Sequence, residues 1–106
     1  MVKFEIIMTQ DAIEDLNNIR DYYLLHFSIE SAEKVIKAIQ KRIAQLADFP
    51  NSGSTPPSNW LASHAYKMVI TGKYATIYHL YGSKVYIYAV VNTQQDYPKL
   101  FEQYPK

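Results

Sequence analysis

Residues 66–91 read YKMVITGKYATIYHLYGSKVYIYAVV and decide the fold of this 106-residue chain. Over most of this stretch, β-branched and aromatic residues alternate with polar ones, which is the period of a half-buried strand. The pattern breaks twice, at TGK (71–73) and at YGS (81–83). Because glycine tolerates positive φ, each break can turn the chain tightly. We therefore predict an antiparallel meander of three strands, at about 66–70, 74–80 and 84–91.

The residues before the meander predict one further strand and two helices. Val2–Met8 alternates between apolar and polar residues, which predicts a first strand. Thr9 then stands where an N-cap would, and apolar residues recur at helical spacing as far as about Leu25. A second helical pattern covers about 29–48 and stops before Pro50. Residues 49–63, which are rich in Pro, Ser and Asn, predict a loop whose far end is anchored by Trp60 and Leu61.

Two amphipathic helices with so short a link are expected to form an antiparallel hairpin. The predicted order is therefore β-α-α-β-β-β, an α+β fold in which the hairpin covers one face of the sheet. The opposite face is where we expect a function to lie. Polar and charged groups on the helices are interpreted as solvated faces rather than as metal or ligand sites. These groups are Asp11, Glu14, Asp15, Asn18 and Asp21 on the first helix, and Lys34, Lys37, Lys41 and Arg42 on the second.

Length and composition predict one domain, residues 1–106, of an ordinary cytoplasmic protein. Hydrophobic residues make up 48% and charged residues 20% of the chain, and there is no cysteine. Disulfides, thiolate metal sites and thiol nucleophiles are therefore excluded. No apolar run is long enough to span a bilayer, and the N-terminus does not read as a signal peptide. We expect no metal and no cofactor.

Charge is distributed unevenly along the chain. Residues 1–59 carry six basic and eight acidic side chains, whereas residues 60–106 carry five lysines and two acids. A mildly basic sheet can hold phosphates, because Lys and Arg displace counterions from nucleic acid. Scattered solubilising lysines explain the same numbers, and charge alone favours that second interpretation.

Several spaced residues together resemble the RelE/ParE toxin superfamily over nearly the whole chain. They are Thr9-x-x-Ala12-x-x-Asp15-Leu16, Pro50-x-x-Gly53, Tyr66-Lys67, Tyr74-x-x-Ile77-Tyr78 and Val85-x-Ile87. The resemblance implies a small curved antiparallel sheet with a helical hairpin on one side. It also implies the toxin half of a type II toxin–antitoxin pair, of the plasmid-stabilisation kind, held inactive by a cognate antitoxin. Two activities occur in the superfamily: ribosome-dependent mRNA cleavage (the mRNA interferases) and poisoning of DNA gyrase. The resemblance also leaves open whether the chain forms a homodimer.

The resemblance implies that nucleases of the superfamily cleave RNA with Arg and Lys side chains on the strands and with Tyr or His side chains near the C-terminus. They must deprotonate the 2′-OH, protonate the leaving oxygen and stabilise the phosphorane charge. Here the positions that match their arginines hold Ala75, Gln94 and Gln95. The resemblance leaves Lys67, His79 and Tyr97 as candidate catalytic residues. It leaves Lys73, Gln94, Gln95 and Tyr104 as candidate nucleic-acid-binding residues.

Three hypotheses follow. The chain is a toxin that binds a large target such as gyrase without catalysis, and the missing guanidinium groups favour this hypothesis. It is alternatively a ribosome-dependent endoribonuclease with an altered site, positioned by the ribosome. The third hypothesis is a degenerate, non-catalytic member that binds only the antitoxin and the operator complex. All three predict an antitoxin partner and an exposed apolar groove.

Overall fold

The computed structural model describes residues 3–94 and confirms the predicted order of elements. The N-terminal half contains β1 (Glu5–Met8), α1 (Gln10–His26), α2 (Ile29–Ala44) and a 3-10 turn at Gln45–Ala47. The C-terminal half contains α3 (Asn59–Ser63), β2 (Lys67–Thr71), β3 (Tyr74–Tyr81) and β4 (Lys84–Asn92). The second predicted helix is thus an α-helix that tightens into the 3-10 turn. The short helix α3 lies within a segment that the sequence pattern left as a loop.

The four strands form one sheet in the order β1-β4-β3-β2. The meander β2-β3-β4 is antiparallel, as predicted, and its two tight turns place Gly72 at φ 59° and Gly82 at φ 60°. The strand β1 pairs with β4 in parallel, so the sheet is mixed and the antiparallel prediction is wrong for this one pair. Parallel neighbours need a long crossover between them, and the helical hairpin supplies it.

The helical hairpin packs on one face of the sheet, and its caps are those that the sequence predicts. Thr9 Oγ1 accepts the N–H of Ala12, and Ser28 Oγ accepts the N–H of Ser31. Apolar residues of both helices form the main core with one face of the strands. The sheet residues of this core are Val69, Tyr74, Tyr78, Val85, Ile87 and Val90.

The N-cap Thr9 and Asp15 of α1 attach the helix to a β-bulge in β4, where the pairing with β3 shifts register between Ile77 and Tyr78. Thr9 Oγ1 donates to the carbonyl of Ile87 at 2.7 Å. The carboxylate of Asp15 accepts the backbone N–H of Val90 at 2.9 Å. Asp15 is therefore half-buried against β4, and the prediction that it belongs to the solvated face is wrong.

The loop after α2 is held by a tyrosine of β3. The hydroxyl of Tyr78, fully buried, donates to the carbonyl of Pro50 at 2.9 Å and accepts the N–H of Gly53 at 3.1 Å. A Cβ on Gly53 would stand 2.4 Å from that hydroxyl. The Pro50-x-x-Gly53 spacing and Tyr78 are thus parts of one contact, which explains why they occur together.

Candidate functional site

The face of the sheet opposite the helical hairpin carries a continuous row of rings, which we call the aromatic face. It consists of Trp60, His64, Tyr66, His79, Tyr86 and Tyr88. A small second core lies beneath it, formed by Leu61, Ala75, Ile77 and Ala89. Aromatic residues at a surface combine a large apolar area with polar edges, which suits them to recognition.

The helix α3 sets one end of the aromatic face. Ser58 caps this helix by accepting the N–H of Leu61, and the fully buried Leu61 side chain anchors it to the sheet. Trp60 stacks on the exposed His64, with ring centroids 4.1 Å apart. His64 Nδ1 lies 2.7 Å from the carbonyl of Trp60. Because a carbonyl oxygen only accepts, Nδ1 donates in this contact.

Strand pairing sets the rest of the aromatic face. Tyr66 lies between its neighbours, with ring centroids 5.0 Å from Tyr88 and 5.2 Å from His79. His79 pairs directly with Tyr86 across β3 and β4, and their rings stack at 5.3 Å. Residues opposite each other in an antiparallel pair share a face, so this stack follows from the register.

The expectation of an uncovered face opposite the hairpin is only partly correct. The helix α3 lies on it, and it buries the middle of β3 through Leu61, Ala75 and Ile77. The sequence indicated that Trp60 and Leu61 anchor this loop, yet it gave no signal for a helix of five residues. What is left at the surface is the row of half-buried rings around α3.

Of the predicted catalytic residues, Lys67 and His79 lie on opposite sides of the sheet. Lys67 pairs with Tyr78 and therefore lies on the hairpin side of the sheet. His79 points to the other side, as the alternation along the strand predicts. Tyr97, the third of them, is outside the described residues.

The predicted nucleic-acid-binding residues divide in a similar way. Lys73 lies at one end of the sheet, where its carbonyl accepts the N–H of Thr93 at 2.8 Å, and Gln94 follows Thr93 in the chain. This end of the sheet is far from His79. Along β3, His79 is five residues from Tyr74, the neighbour of Lys73, which is about 16 Å at the rise of a strand. Gln95 and Tyr104 lie outside the described residues.

Ala75, where the resemblance implies an arginine in nuclease members, is completely buried in the second core. A guanidinium at this position would need space that Leu61 and Ile77 now fill. At this position the chain therefore has apolar packing and no charged group.

Tyr74, Tyr78 and Asp15, which lie away from the aromatic face, have raised pKa values. Burial raises the pKa of the Tyr74 hydroxyl well above its ordinary value, and a hydrogen bond with Tyr23 adds to this. Burial also raises the pKa of Tyr78 and of Asp15, although the hydrogen bond from Gly53 opposes the first shift and that from Val90 the second. These groups hold the fold together.

Within residues 3–94, no cluster of three or more His, Cys, Asp or Glu side chains could hold a metal ion. Among the helices of this part of the chain, none has the length and apolar character needed to cross a membrane.

Comparisons with known proteins fit this architecture. Residues 6–97 match the family model described as the ParE toxin of the type II toxin–antitoxin system parDE. The fold is similar to a chain of the chromosomal ParDE system from P. aeruginosa, with a TM-score of 0.73 and 20% identity over 85% of this chain and 96% of that one. It is also similar to a chain of the RelBE2 toxin–antitoxin complex from Mycobacterium tuberculosis, with a TM-score of 0.64 and 19% identity over 87% and 93%.

No curated protein matches the chain in sequence. The two solved structures share little sequence with it and establish the fold, whereas the family model spans most of the chain and establishes the family. The chain belongs to the ParE toxin family and is the toxin component of a type II toxin–antitoxin system.

Proposed function

We propose that this toxin arrests growth by binding DNA gyrase through the aromatic face, without cutting RNA. The observation that carries the proposal is the composition of that face. Aromatic rings make up most of it. The lysine that β3 and β4 place on this side of the sheet is Lys84, which pairs with Tyr81 of β3 and with Glu5 of β1. Protein interfaces are enriched in aromatic residues and depleted of charge at their centre, which favours a protein target over a phosphate backbone.

The placement of the candidate catalytic residues supports binding over cleavage. RNA cleavage through the 2′-OH needs a base, an acid and a positive group around one phosphate. Lys67 and His79 lie on opposite sides of the sheet, so they cannot contact the same phosphate. Ala75 has no group to offer in place of the arginine. Such a protein is expected to inhibit by occupying its target and to need stoichiometric amounts.

Two assays separate the proposal from its alternatives. We expect the purified protein to inhibit supercoiling by purified gyrase at a concentration close to that of the enzyme. After induction in cells, we expect the 5′ ends of mRNA to show no new cuts at ribosomal A-site codons. Such cuts without inhibition of gyrase would instead establish ribosome-dependent cleavage. Absence of growth arrest, with the antitoxin still bound, would leave a member that only binds its antitoxin and operator complex.

Variants of the aromatic face connect the assay to the structure. Tyr86 is half-buried and stacks on His79 without being part of the second core, so Tyr86→Ala removes a contact ring at little cost to the fold. Tyr22→Ala is the matched control, since Tyr22 is an exposed tyrosine on α1. We expect Tyr86→Ala to weaken gyrase inhibition by about tenfold or more and Tyr22→Ala to leave it unchanged. Equal inhibition by both variants would exclude the aromatic face as the surface that binds gyrase.

A further inference from the structure

The two helices of the hairpin present a surface that points away from the sheet, which we call the outer helical face. Each helix buries one stripe of residues, among them Leu16 in α1 and Ile36 in α2. Because a helix turns once in about 3.6 residues, the side opposite the buried stripe is the outer one. Its exposed residues are Glu14, Asp21 and Leu25 on α1 and Lys34, Lys37 and Lys41 on α2. The predicted apolar groove, of about 410 Å³, adjoins this face between α2 and the turn that joins β2 to β3.

Charge on the outer helical face is divided between the two helices. The α1 side is acidic through Glu14 and Asp21, whereas the α2 side is basic through its three lysines. The remaining charged residues lie on the flanks or at the ends of the helices: Asp11, Asp15, Arg20, Glu30, Glu33 and Arg42. The face therefore consists of an acidic stripe and a basic stripe, side by side.

The acids and lysines of the two stripes lie at matching levels along the hairpin. Only residues 27 and 28 separate α1 from α2, so residues whose numbers add up to about 55 are level with each other. Glu14 is thus level with Lys41, and Asp21 is level with Lys34.

These charges do not form ion pairs within one copy. The salt bridge that forms among residues 3–94 joins Lys3 to Asp48, outside the outer helical face. Glu14 accepts a hydrogen bond from the side-chain amide of Gln10 at 3.4 Å, which leaves its charge without a cation. Unpaired charges of both signs on one surface can pair with a partner that carries the same two stripes in reverse order.

The tip of the hairpin adds apolar surface to the same face. Leu25 is 80% exposed, Ile29 is 67% exposed and Phe27, between them, is 63% exposed. Large apolar side chains clustered this openly mark a surface that a protein partner covers.

We propose that a second copy of this chain covers the outer helical face, in a dimer that sets α1 of each copy against α2 of the other. A two-fold axis parallel to the helices produces this arrangement and keeps the levels matched. Glu14 then faces Lys41 of the second copy, Asp21 faces Lys34, and the two tips meet. Because the contact is symmetric, each of these pairs occurs twice.

The charges exclude the other symmetric way of stacking the two hairpins. A two-fold axis perpendicular to the helices would set α1 on α1 and α2 on α2, so acids would face acids and lysines would face lysines. Like charges that face each other across an interface cost affinity. The sheet lies between the outer helical face and the aromatic face, so the dimer leaves both aromatic faces uncovered. The proposal is therefore independent of gyrase.

The size of the face sets the expected affinity. Helices of 17 and 16 residues are about 25 Å long, and two of them side by side are about 20 Å wide. Each copy then contributes about 500 Å², and the total of about 1,000 Å² is at the lower limit for a specific interface. We expect a dissociation constant of about 10 μM at low salt.

Sedimentation velocity of the purified full chain, over a range of concentrations, tests the dimer. Raising the salt from about 50 to about 500 mM should weaken it about tenfold or more. Glu14→Lys and Lys41→Glu, each alone, place like charges in both copies of one contact and should weaken it about thirtyfold. An equal mixture of these two variants should form a mixed dimer within about threefold of the original affinity, because acid again faces lysine at both contacts.

Controls keep the result clear. Lys84→Glu makes the same change of net charge at an exposed lysine of β4 and should leave the dimer unchanged. Thermal unfolding shows whether each variant is folded, and Asp21→Lys with Lys34→Glu is an equivalent pair if one of the first two is not. A chain that stays monomeric at low salt would overturn the proposal. A dimer that the single variants do not weaken, or a mixture of variants that stays monomeric, would overturn it equally.

Discussion

Substituting Gly53 by alanine tests the contact that ties the 50–53 loop to the sheet. An added Cβ would stand 2.4 Å from the Tyr78 hydroxyl and 2.8 Å from the carbonyl oxygen of Met68. Real Cβ atoms do not approach this closely, so the loop must move away from β3. That movement disrupts the hydrogen bond from Gly53 N–H to Tyr78 and the paired bonds between Ser54 and Met68.

The size of the effect follows from these contacts. Overpacking costs about 1–3 kcal/mol, and weakening one or two hydrogen bonds adds about 1 kcal/mol each. We expect Gly53→Ala to lower the free energy of unfolding by about 2–4 kcal/mol. Tyr78→Phe alone is expected to cost about 2 kcal/mol, because the groups that its hydroxyl serves on Pro50 and Gly53 lose their partner.

The two substitutions should not be additive. Phenylalanine at position 78 removes the nearest atom that the new Cβ meets, while the carbonyl of Met68 remains in its way. In the Tyr78→Phe background, Gly53→Ala should therefore cost about 1 kcal/mol less than it does alone. Urea unfolding of the four proteins gives this coupling energy directly.

The control is Gly82→Ala, which strains the backbone at φ 60° but places its Cβ in open space. Its cost should be the same with Tyr or Phe at position 78. A coupling energy of zero for Gly53 with Tyr78, or equal coupling for both glycines, would refute the proposed contact.

The remaining predictions concern single groups in the fold. Burial raises the pKa of Asp15 above its unfolded value of 3.8, against the hydrogen bond from Val90 N–H, so its carboxyl stabilises the protein when protonated and less as pH rises through the folded pKa. Relative to Asp15→Asn, the original should therefore gain unfolding free energy as pH falls from neutrality toward 3.8, and a flat or opposite difference would contradict this. Ala65 has φ 63°, so Ala65→Gly should raise the unfolding free energy by about 0.5–1 kcal/mol, whereas a lower melting temperature would count against backbone strain there. Thr71 Oγ1 is buried with no hydrogen-bond partner among the described residues, so Thr71→Val should stabilise by about 1 kcal/mol in urea unfolding, with Thr71→Ser as a control that gives no such gain.

Local patterns predicted most of the fold. The alternation in 66–91 gives strands within a residue or so of those observed, because half-buried strands impose their period on the sequence. The caps Thr9 and Ser28 mark the helix starts for an equally local reason. The parallel direction of β1 depends on a crossover, which no local pattern encodes.

Tertiary contacts explain what the sequence did not predict. The helix α3 has five residues, too few for a helical period to show in the sequence. Burial of Leu61 against β3 stabilises it. Asp15 follows the acidic pattern of a solvated face, yet the bulge in β4 exposes the N–H of Val90 to its carboxylate. The Thr9, Asp15, Gly53 and Tyr78 positions of the family pattern therefore hold the fold.

The candidate site was harder to predict for the same reason. Alternation alone places the side chains of His79 and Tyr78 on opposite faces of the sheet, and the structure agrees. Whether Lys67 shares that face depends on its register with β3, which a sequence pattern does not fix. The aromatic face assembles residues from α3, β3 and β4, and His64 joins it only through the helix that was not predicted.

The most direct test of the central claim is inhibition of purified gyrase by the purified toxin, titrated against enzyme concentration. Our account predicts stoichiometric loss of supercoiling, reversed by the antitoxin and weakened by His79→Ala together with Tyr86→Ala. Full supercoiling activity of the purified enzyme at a large excess of toxin, together with ribosomal cuts in mRNA after induction in cells, would contradict inhibition of gyrase.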